Sequence, residues 1–238
     1  MRTLRILAID IGGSHLKASV VDAQGRMLAQ KVEVNTPHPC PPHVMVDALV
    51  TLVQPLPTHD RISIGFPGVV RDGRVITAPH WVTKEWADFE LPKELSRRLH
   101  GASARMINDA EMQGLAVIKG KGLELVLTLG TGAGTGLFRD GDVMPHLELA
   151  HHPIRGDKTY DDYVGDAALK KAGVKRWNRR VGRTIGILYA LLHFDHLFIG
   201  GGNAVNVSIQ LPDNVTLVSN DAGVEGGAML WRRNRPNR

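Results

Sequence analysis

Short apolar runs bounded by glycine set the pattern of the first third of the chain. LRILAID (4–10) predicts a strand rich in branched side chains, and IGGSH (11–15) predicts a turn. LKASVVD (16–22) alternates back out as a second strand. After the turn DAQG, GRMLAQKVEV (25–34) predicts a third, which completes an antiparallel meander. A proline-rich link (37–42) leads to HVMVDALVTLVQ (43–54), whose apolar positions recur at helical spacing. RISIGFPGVV (61–70) predicts a strand ending in a glycine–proline cluster, and MINDAEMQGLAVIKG (106–120) a strand end running into a helix.

The opening plan then recurs. LELVLTLG (123–130) is a strand, TGAG (131–134) a glycine turn, TGLFRDG (135–141) the returning strand and DGD (140–142) the next turn. The repeat is one of structure rather than of letters. A basic helical region spans roughly 161–193. HLFIGGGNA (196–204) predicts a strand running through three glycines into a helix, and NVTLVSN (214–220) with a terminal helix AGVEGGAMLW (222–231) follows.

With 238 residues, the chain can build one large domain or two lobes with separate cores. Its 43% hydrophobic and 22% charged residues are ordinary for a soluble globular protein. One cysteine, Cys40, cannot form an internal disulfide, so a reducing cytoplasm is the expected location. Asp10 ends the first apolar run too early for a signal peptide, and TIGILYALLHF (184–194) is too short to span a membrane. The formal charge of +5 favours polyanionic partners, although basic surfaces also serve solubility. The positive charge gathers in LKKAGVKRWNRRVGR (169–183) and WRRNRPNR (231–238). The first of these is either an electrostatic groove for a long polyphosphate or the solvated face of a helix.

LTLGTGAGTGLF (127–138) has glycine at every second position from Gly130 to Gly136. No Gly-Lys follows, which excludes a Walker loop. A returning strand replaces the helix that a dinucleotide fingerprint requires. The glycines fit either a tight hairpin or a cradle that lets an anion reach backbone N–H groups, with Thr128, Thr131 and Thr135 adding hydroxyls. A second such hairpin, DIGGSHLK (10–17), favours the cradle. Gly12, Gly13 and Ser14 form its turn, Lys17 lies on the returning strand, and Asp10 is placed to hold Mg2+ through water. Two such hairpins suit opposite sides of one polyphosphate chain. Gly200, Gly201 and Gly202 offer a flat wall for an adenosine. Asn108 and Asp109 precede a helix, where both are leading cap residues, and Glu111 fits a first-turn acid. In HLELAHH (146–152), Glu148 and His151 would share a helical face, but Leu147 stands where a zincin has its first His, and no cysteine cluster accompanies them. No zinc is expected.

AIDIGGSHLKASVVD, GFPGVV, INDAEMQGLA, LTLGTGAGTGLF, LELAHH, LFIGGGNA and NDAGVEGGAML, in that order, resemble the ROK family of sugar kinases. Within it, GVVRDGRVITAPHWVTKEW (68–86) resembles the compact polyphosphate/ATP glucokinases. The resemblance implies an α/β fold, the two-lobed actin-like ATPase built from a duplicated ribonuclease H-like unit. The smaller lobe would hold residues 1–107, with a helix at 221–238 packing back on it, and the larger lobe 108–220. It implies a hexokinase-type enzyme making glucose 6-phosphate with ATP and/or polyphosphate as donor, with Mg2+ as cofactor, and a cytoplasmic homodimer.

The family's general base maps to Asp109, and its sugar ligands map to Asn108, Glu148 and His151, with Gly68 lining the sugar site through its backbone. The chain departs at Ala150, where glycine is usual. It departs again where a further sugar-contacting glutamate is expected, since the nearest candidates are Asp161 and Asp162, one methylene shorter. Donor contacts map to Asp10, Gly12, Gly13, Ser14, Lys17, Thr128, Gly130, Thr131, Gly132 and Gly200–Gly202. A sugar-binding regulatory protein of the same fold without catalysis is the alternative. A DNA-binding repressor is not expected, because the first strand begins by residue 4 and leaves no helix-turn-helix ahead of it.

Overall fold

The computed structural model describes residues 3–219 and 222–231. Contacts divide the chain into two units, 1–116 with 221–238, and 117–220.

The first unit contains β1 (Ile6–Ile11), β2 (His15–Val21), β3 (Val32–Asn35), α1 (Pro42–Val53), β4 (Arg61–Phe66), β5 (Val70–Arg71), β6 (Arg74–Val75), α2 (Thr83–Trp86), α3 (Leu91–Arg98), β7 (Ser103–Asn108) and α4 (Asp109–Val117). Its main sheet has the order β3-β2-β1-β4-β7. The first three strands pair antiparallel, while β4 and β7 add parallel to β1. Alternation explains why β1 belongs at the centre. Leu7, Ile9 and Ile11 face one core with Met45, Leu49 and Trp86, whereas Ile6 and Ala8 face a smaller one with Val21, Val224 and Ala228. Each fully buried aliphatic side chain of this kind contributes about 1.5–3 kcal/mol.

The second unit contains β8 (Leu123–Leu129), β9 (Ala133–Arg139), β10 (Asp142–Val143), β11 (Pro153–Arg155), β12 (Lys158–Thr159), α5 (Tyr160–Val164), α6 (Asp166–Ala172), α7 (Val174–Leu192), β13 (His196–Gly200) and β14 (Val215–Leu217). Its sheet order, β10-β9-β8-β13-β14, repeats that of the first unit with the same directions. This is the duplicated two-unit plan that the resemblance implied. Trp177, fully buried on α7, donates to the Val164 carbonyl and knits three helices to one core.

Four expectations from the sequence change here. The third strand is short, because the buried Asp22 carboxylate accepts Gln24 N, Arg26 N and Arg26 Nε and bends the chain tightly. Met27 keeps only a bridge to Val21 before β3 begins at Val32. The basic region 161–193 is three helices, separated at Gly165 and at Gly173, whose φ of 71° is left-handed. Gly200–Gly202 turn into a single 3-10 turn (Ala204–Asn206) rather than a helix. Residues 222–231 form one α-helical turn, α8 (Ala222–Glu225), and then a 3-10 segment (Gly226–Trp231). A Cβ on Gly226 would overlap the Met112 carbonyl, and one on Gly227 would press on Ala8 and Ser63, so the backbone itself packs on α4 and the sheet. Ser63 Oγ donates to the Gly227 carbonyl at 2.7 Å and accepts from Trp231 Nε1 at 2.8 Å. Residues 232–238, most of the basic C-terminal tail, lie outside the described residues, as do Asn220 and Asp221.

Candidate active site

In the first unit, Asp10 is the penultimate residue of β1. Its register neighbours are Lys17 on β2 and Gly65 on β4. Gly223 closes over the carboxylate, with room for no side chain, since a Cβ there would lie 2.9 Å from Oδ2. Burial pushes the Asp10 pKa above the ordinary carboxylate value, while the charges of Lys17 and Lys31 pull it back. Its carboxylate makes no hydrogen bond with a described residue. A carboxylate at this position suits a hydrated Mg2+ held through water. Among the described residues no group of three or more His, Cys, Asp and Glu is gathered to hold a metal directly.

The 12–14 turn beside it is tied down. Gly12 N donates to the His15 carbonyl at 2.9 Å, Thr36 Oγ1 donates to the Gly12 carbonyl at 2.7 Å, and Thr36 N donates to the Ser14 carbonyl at 2.9 Å. A Cβ on Gly13 would meet the His80 ring at 3.0 Å. Both glycines therefore have packing reasons.

At the end of β7, the structure separates the two candidate caps. Asn108 is buried, its Oδ1 accepts Ala110 N at 2.9 Å and Glu111 N at 3.3 Å, and its Nδ2 donates toward the Phe66 and Gly68 carbonyls. Glu111 Oε2 reaches back to Asn108 N at 3.4 Å, in the manner of a capping box. Asn108 is thus the cap and the tie to the 66–68 turn, and its amide is fully engaged within the chain. Asp109, half-buried, begins α4 with one oxygen accepting Ala110 N at 2.9 Å. The positive end of the helix favours negative charge there. Gly68 has its own reason to lack a side chain, since a Cβ would overlap the Thr77 carbonyl. Trp86 is core, donating to the Cys40 carbonyl at 3.0 Å, and Trp81 stacks on it at 5.3 Å.

In the second unit, Thr128 holds the position on β8 that Asp10 holds on β1, between Gly134 on β9 and Gly200 on β13. The 130–132 turn is narrow, with Gly130 N donating to the Gly132 carbonyl at 3.0 Å. Asp161 packs under it, accepting Ala133 N at 2.8 Å, and its carboxylate occupies the space where a Gly132 Cβ would be. The Gly130 carbonyl accepts Asn203 Nδ2 at 3.2 Å and Asp166 N at 2.9 Å. Gly201, at φ 85°, lies directly on the Leu129 backbone. The 128–132 and 200–203 segments thus come together, with exposed Thr131 and Gly202 at their surface. Gly130 and Gly202 have ordinary φ, and a Cβ on either would find no neighbour within 4 Å, so neither packing nor conformation explains them. Thr135, by contrast, is buried and donates to the Leu147 carbonyl.

The 146–152 segment is not helical, so Glu148 and His151 do not share a helical face. Turns at Leu147–Leu149 and Leu149–His152 fold it between Pro145 and Pro153. Glu148 instead contacts His146 at 3.4 Å. His151 is exposed, and its charge acts on Asp162, whose carboxyl is held low chiefly by its hydrogen bonds to Thr159. Thr159 and Asp162 form the capping box of α5. Two roles escape sequence reading: Asp161 as the support of the 130–133 turn, and Asn203 as its second clamp. Each is a contact between residues far apart in the chain, and only the bare Gly132 hinted at the first.

Residues 6–147 match the ROK family. A polyphosphate glucokinase of Mycobacterium tuberculosis (strain CDC 1551 / Oshkosh) is 28% identical over 93% of this chain and 89% of its own. The inorganic polyphosphate/ATP-glucomannokinase of Arthrobacter sp. strain KM has a similar structure, with a TM-score of 0.85 and 27% identity over 95% of this chain and 98% of its own. A glucokinase of Streptomyces griseus, solved with glucose and AMPPNP, shares the fold with a TM-score of 0.79 at 19% identity, over 95% and 98% of the two chains.

Proposed function

The chain belongs to the ROK family, and on that premise we propose that it is a hexokinase-type phosphotransferase, converting glucose to glucose 6-phosphate with ATP and/or inorganic polyphosphate as donor. The observation that carries the reading is the division of labour at β7–α4. Asn108 takes the helix cap, which leaves Asp109 the role of base. Likeness over nearly the whole chain to relatives named as polyphosphate glucokinase and polyphosphate/ATP-glucomannokinase supports the substrates.

In this reading Asp109 accepts the proton of the attacking sugar hydroxyl as that oxygen bonds to the transferred phosphorus and the bond to the donor's bridging oxygen breaks. Glu148, His151 and the Gly68 backbone contribute sugar contacts. Asn108 serves chiefly by fixing Asp109 and the 66–68 turn, and Asp161 by fixing the phosphate turn. Thr128, Gly130, Thr131 and Gly132 bind donor phosphates, Gly200–Gly202 the nucleoside, and Gly12, Gly13, Ser14 and Lys17 contribute donor contacts from the first unit. Mg2+, held by Asp10 through water, would neutralise phosphate charge.

Transfer of labelled phosphate to glucose with Mg2+, from ATP or from long-chain polyphosphate, tests the reading. Product from either donor, lost in Asp109→Asn, supports it. No product across a panel of hexoses, with glucose still bound, would replace it with a sugar-binding protein without catalysis.

A further inference from the structure

The exposed face of α7 carries charge that its own stability opposes. Lys175 and Arg176 stand in a first turn that holds no acid, and the last turn holds no base, the reverse of what the helix dipole favours. Lys175–Arg179, Arg176–Arg180 and Arg179–Arg183 are each four residues apart, where like charges repel by about 0.2–0.5 kcal/mol per pair.

Two of the cations from Lys170 to Arg183 are used within the fold. Lys170 pairs with Asp166, and Arg180 lies 5.2 Å over the Tyr163 ring and donates to the Tyr163 carbonyl. The side chains of Lys171, Lys175, Arg176, Arg179 and Arg183 are exposed and make no ion pair or hydrogen bond with a described residue. No packing need accounts for them.

We propose that this face, Lys175, Arg176, Arg179 and Arg183, with Lys171 at the end of α6, is a docking track for inorganic polyphosphate, separate from the residues that bind the transferred phosphoryl group. The inference rests on the donor reading above. From Lys175 to Arg183 the cations extend about 12 Å along the helix at 1.5 Å per residue, so a linear chain charged at every unit meets them in succession. Polyphosphate is favoured over a single-stranded nucleic acid, because the face has nothing on which bases could stack. The one aromatic residue between Lys171 and Arg183 is Trp177, and it is fully buried. A flexible phosphate chain needs only the charges.

The test compares the full chain with the triple variant Arg176→Gln, Arg179→Gln, Arg183→Gln. Binding of end-labelled long-chain polyphosphate is followed by fluorescence anisotropy across a salt series, with tripolyphosphate and a single-stranded RNA as competitors. In the variant, long-chain affinity should fall about tenfold or more. The slope of log affinity against log salt should shrink by about 2, at roughly 0.7 per cation. The KM for long-chain polyphosphate should rise with it, while KM and kcat with ATP stay unchanged. The melting temperature should hold or rise, since like charges have been removed.

Unchanged long-chain affinity in the variant would overturn the proposal. So would equal weakening of tripolyphosphate, RNA competing as well as polyphosphate at equal charge, or a melting temperature several degrees lower. Binding is read without turnover. A protein that transfers no phosphate from either donor would therefore fail the kinase reading, while the anisotropy series still decided whether α7 holds the chain.

Discussion

The two five-stranded sheets share strand order and direction, yet the same position in each carries different chemistry. On β1 it is Asp10, a carboxyl beside Lys17 and Gly65, and on β8 it is Thr128, a hydroxyl between Gly134 and Gly200. The glycine hairpins that follow differ as well. Gly12 and Gly13 are bare because His15 and His80 crowd them, whereas Gly130 faces open space. Duplication has kept the backbone and changed the chemistry at this position, a carboxyl in the first unit and a hydroxyl in the second. One pattern of glycines in the sequence therefore has two causes, and only the neighbours tell them apart.

The sharpest way to break this comparison is Asp109→Asn. We expect kcat to fall about 10²–10⁴-fold, the usual contribution of a general base. The melting temperature should hardly move, because Asn108 keeps the cap. A large loss of stability in that variant would return Asp109 to a capping role.

The next contrast is Asp10→Asn against Thr128→Val. Asp10→Asn should cost about 10²-fold in kcat/KM, or roughly 2.7 kcal/mol of transition-state stabilisation, and Thr128→Val only a few-fold. Asp10→Asn should also stabilise the protein. Burial raises the folded pKa of Asp10 above the ordinary 3.8, so ionisation is easier in the unfolded chain. The stability this group contributes is present below 3.8 and is lost as pH rises through the folded value. The neutral amide suffers no such loss. Urea unfolding at pH 4 and pH 7 should therefore show the variant's advantage growing with pH, and a shrinking gap would contradict the assignment.

Asp161→Ala sharpens the second unit's half of the comparison. It leaves Ala133 N without its acceptor and should cost about 1–3 kcal/mol of stability. Donor KM should rise about tenfold while glucose KM changes little. A change confined to glucose KM would restore Asp161 to the sugar contact that its sequence position implied. The smallest effect is expected at Gly130→Ala. With ordinary φ and no neighbour, alanine should stabilise the chain by about 0.4–1 kcal/mol while weakening donor binding a few-fold. Gly132→Ala, which collides with Asp161, should destabilise instead.

Much of this architecture was legible in sequence because its signals are local. Alternation in LRILAID and LELVLTLG, with glycine at the turns, marks the leading hairpins of both sheets. Where tertiary contacts decide, the sequence misleads. Glu148 and His151 sit at helical spacing, but tight turns between Pro145 and Pro153 keep them off a common helical face. Asn108 and Asp109 are both good caps, and the choice between them depends on carbonyls some 40 residues earlier. Asp161 reads as a displaced sugar ligand, and nothing near it in sequence tells that Ala133, 28 residues before it, donates to it.

Residues 222–231 supply Val224 and Ala228, the apolar cover for Ile6, Ala8 and Val21. A chain made from its N-terminus outward must therefore hold one face of its first strand uncovered until residues 222–231 have left the ribosome. By then 117–220 have all emerged and can already have folded. A released chain truncated before residue 222 should accordingly contain a settled second unit beside a first that still attracts chaperones.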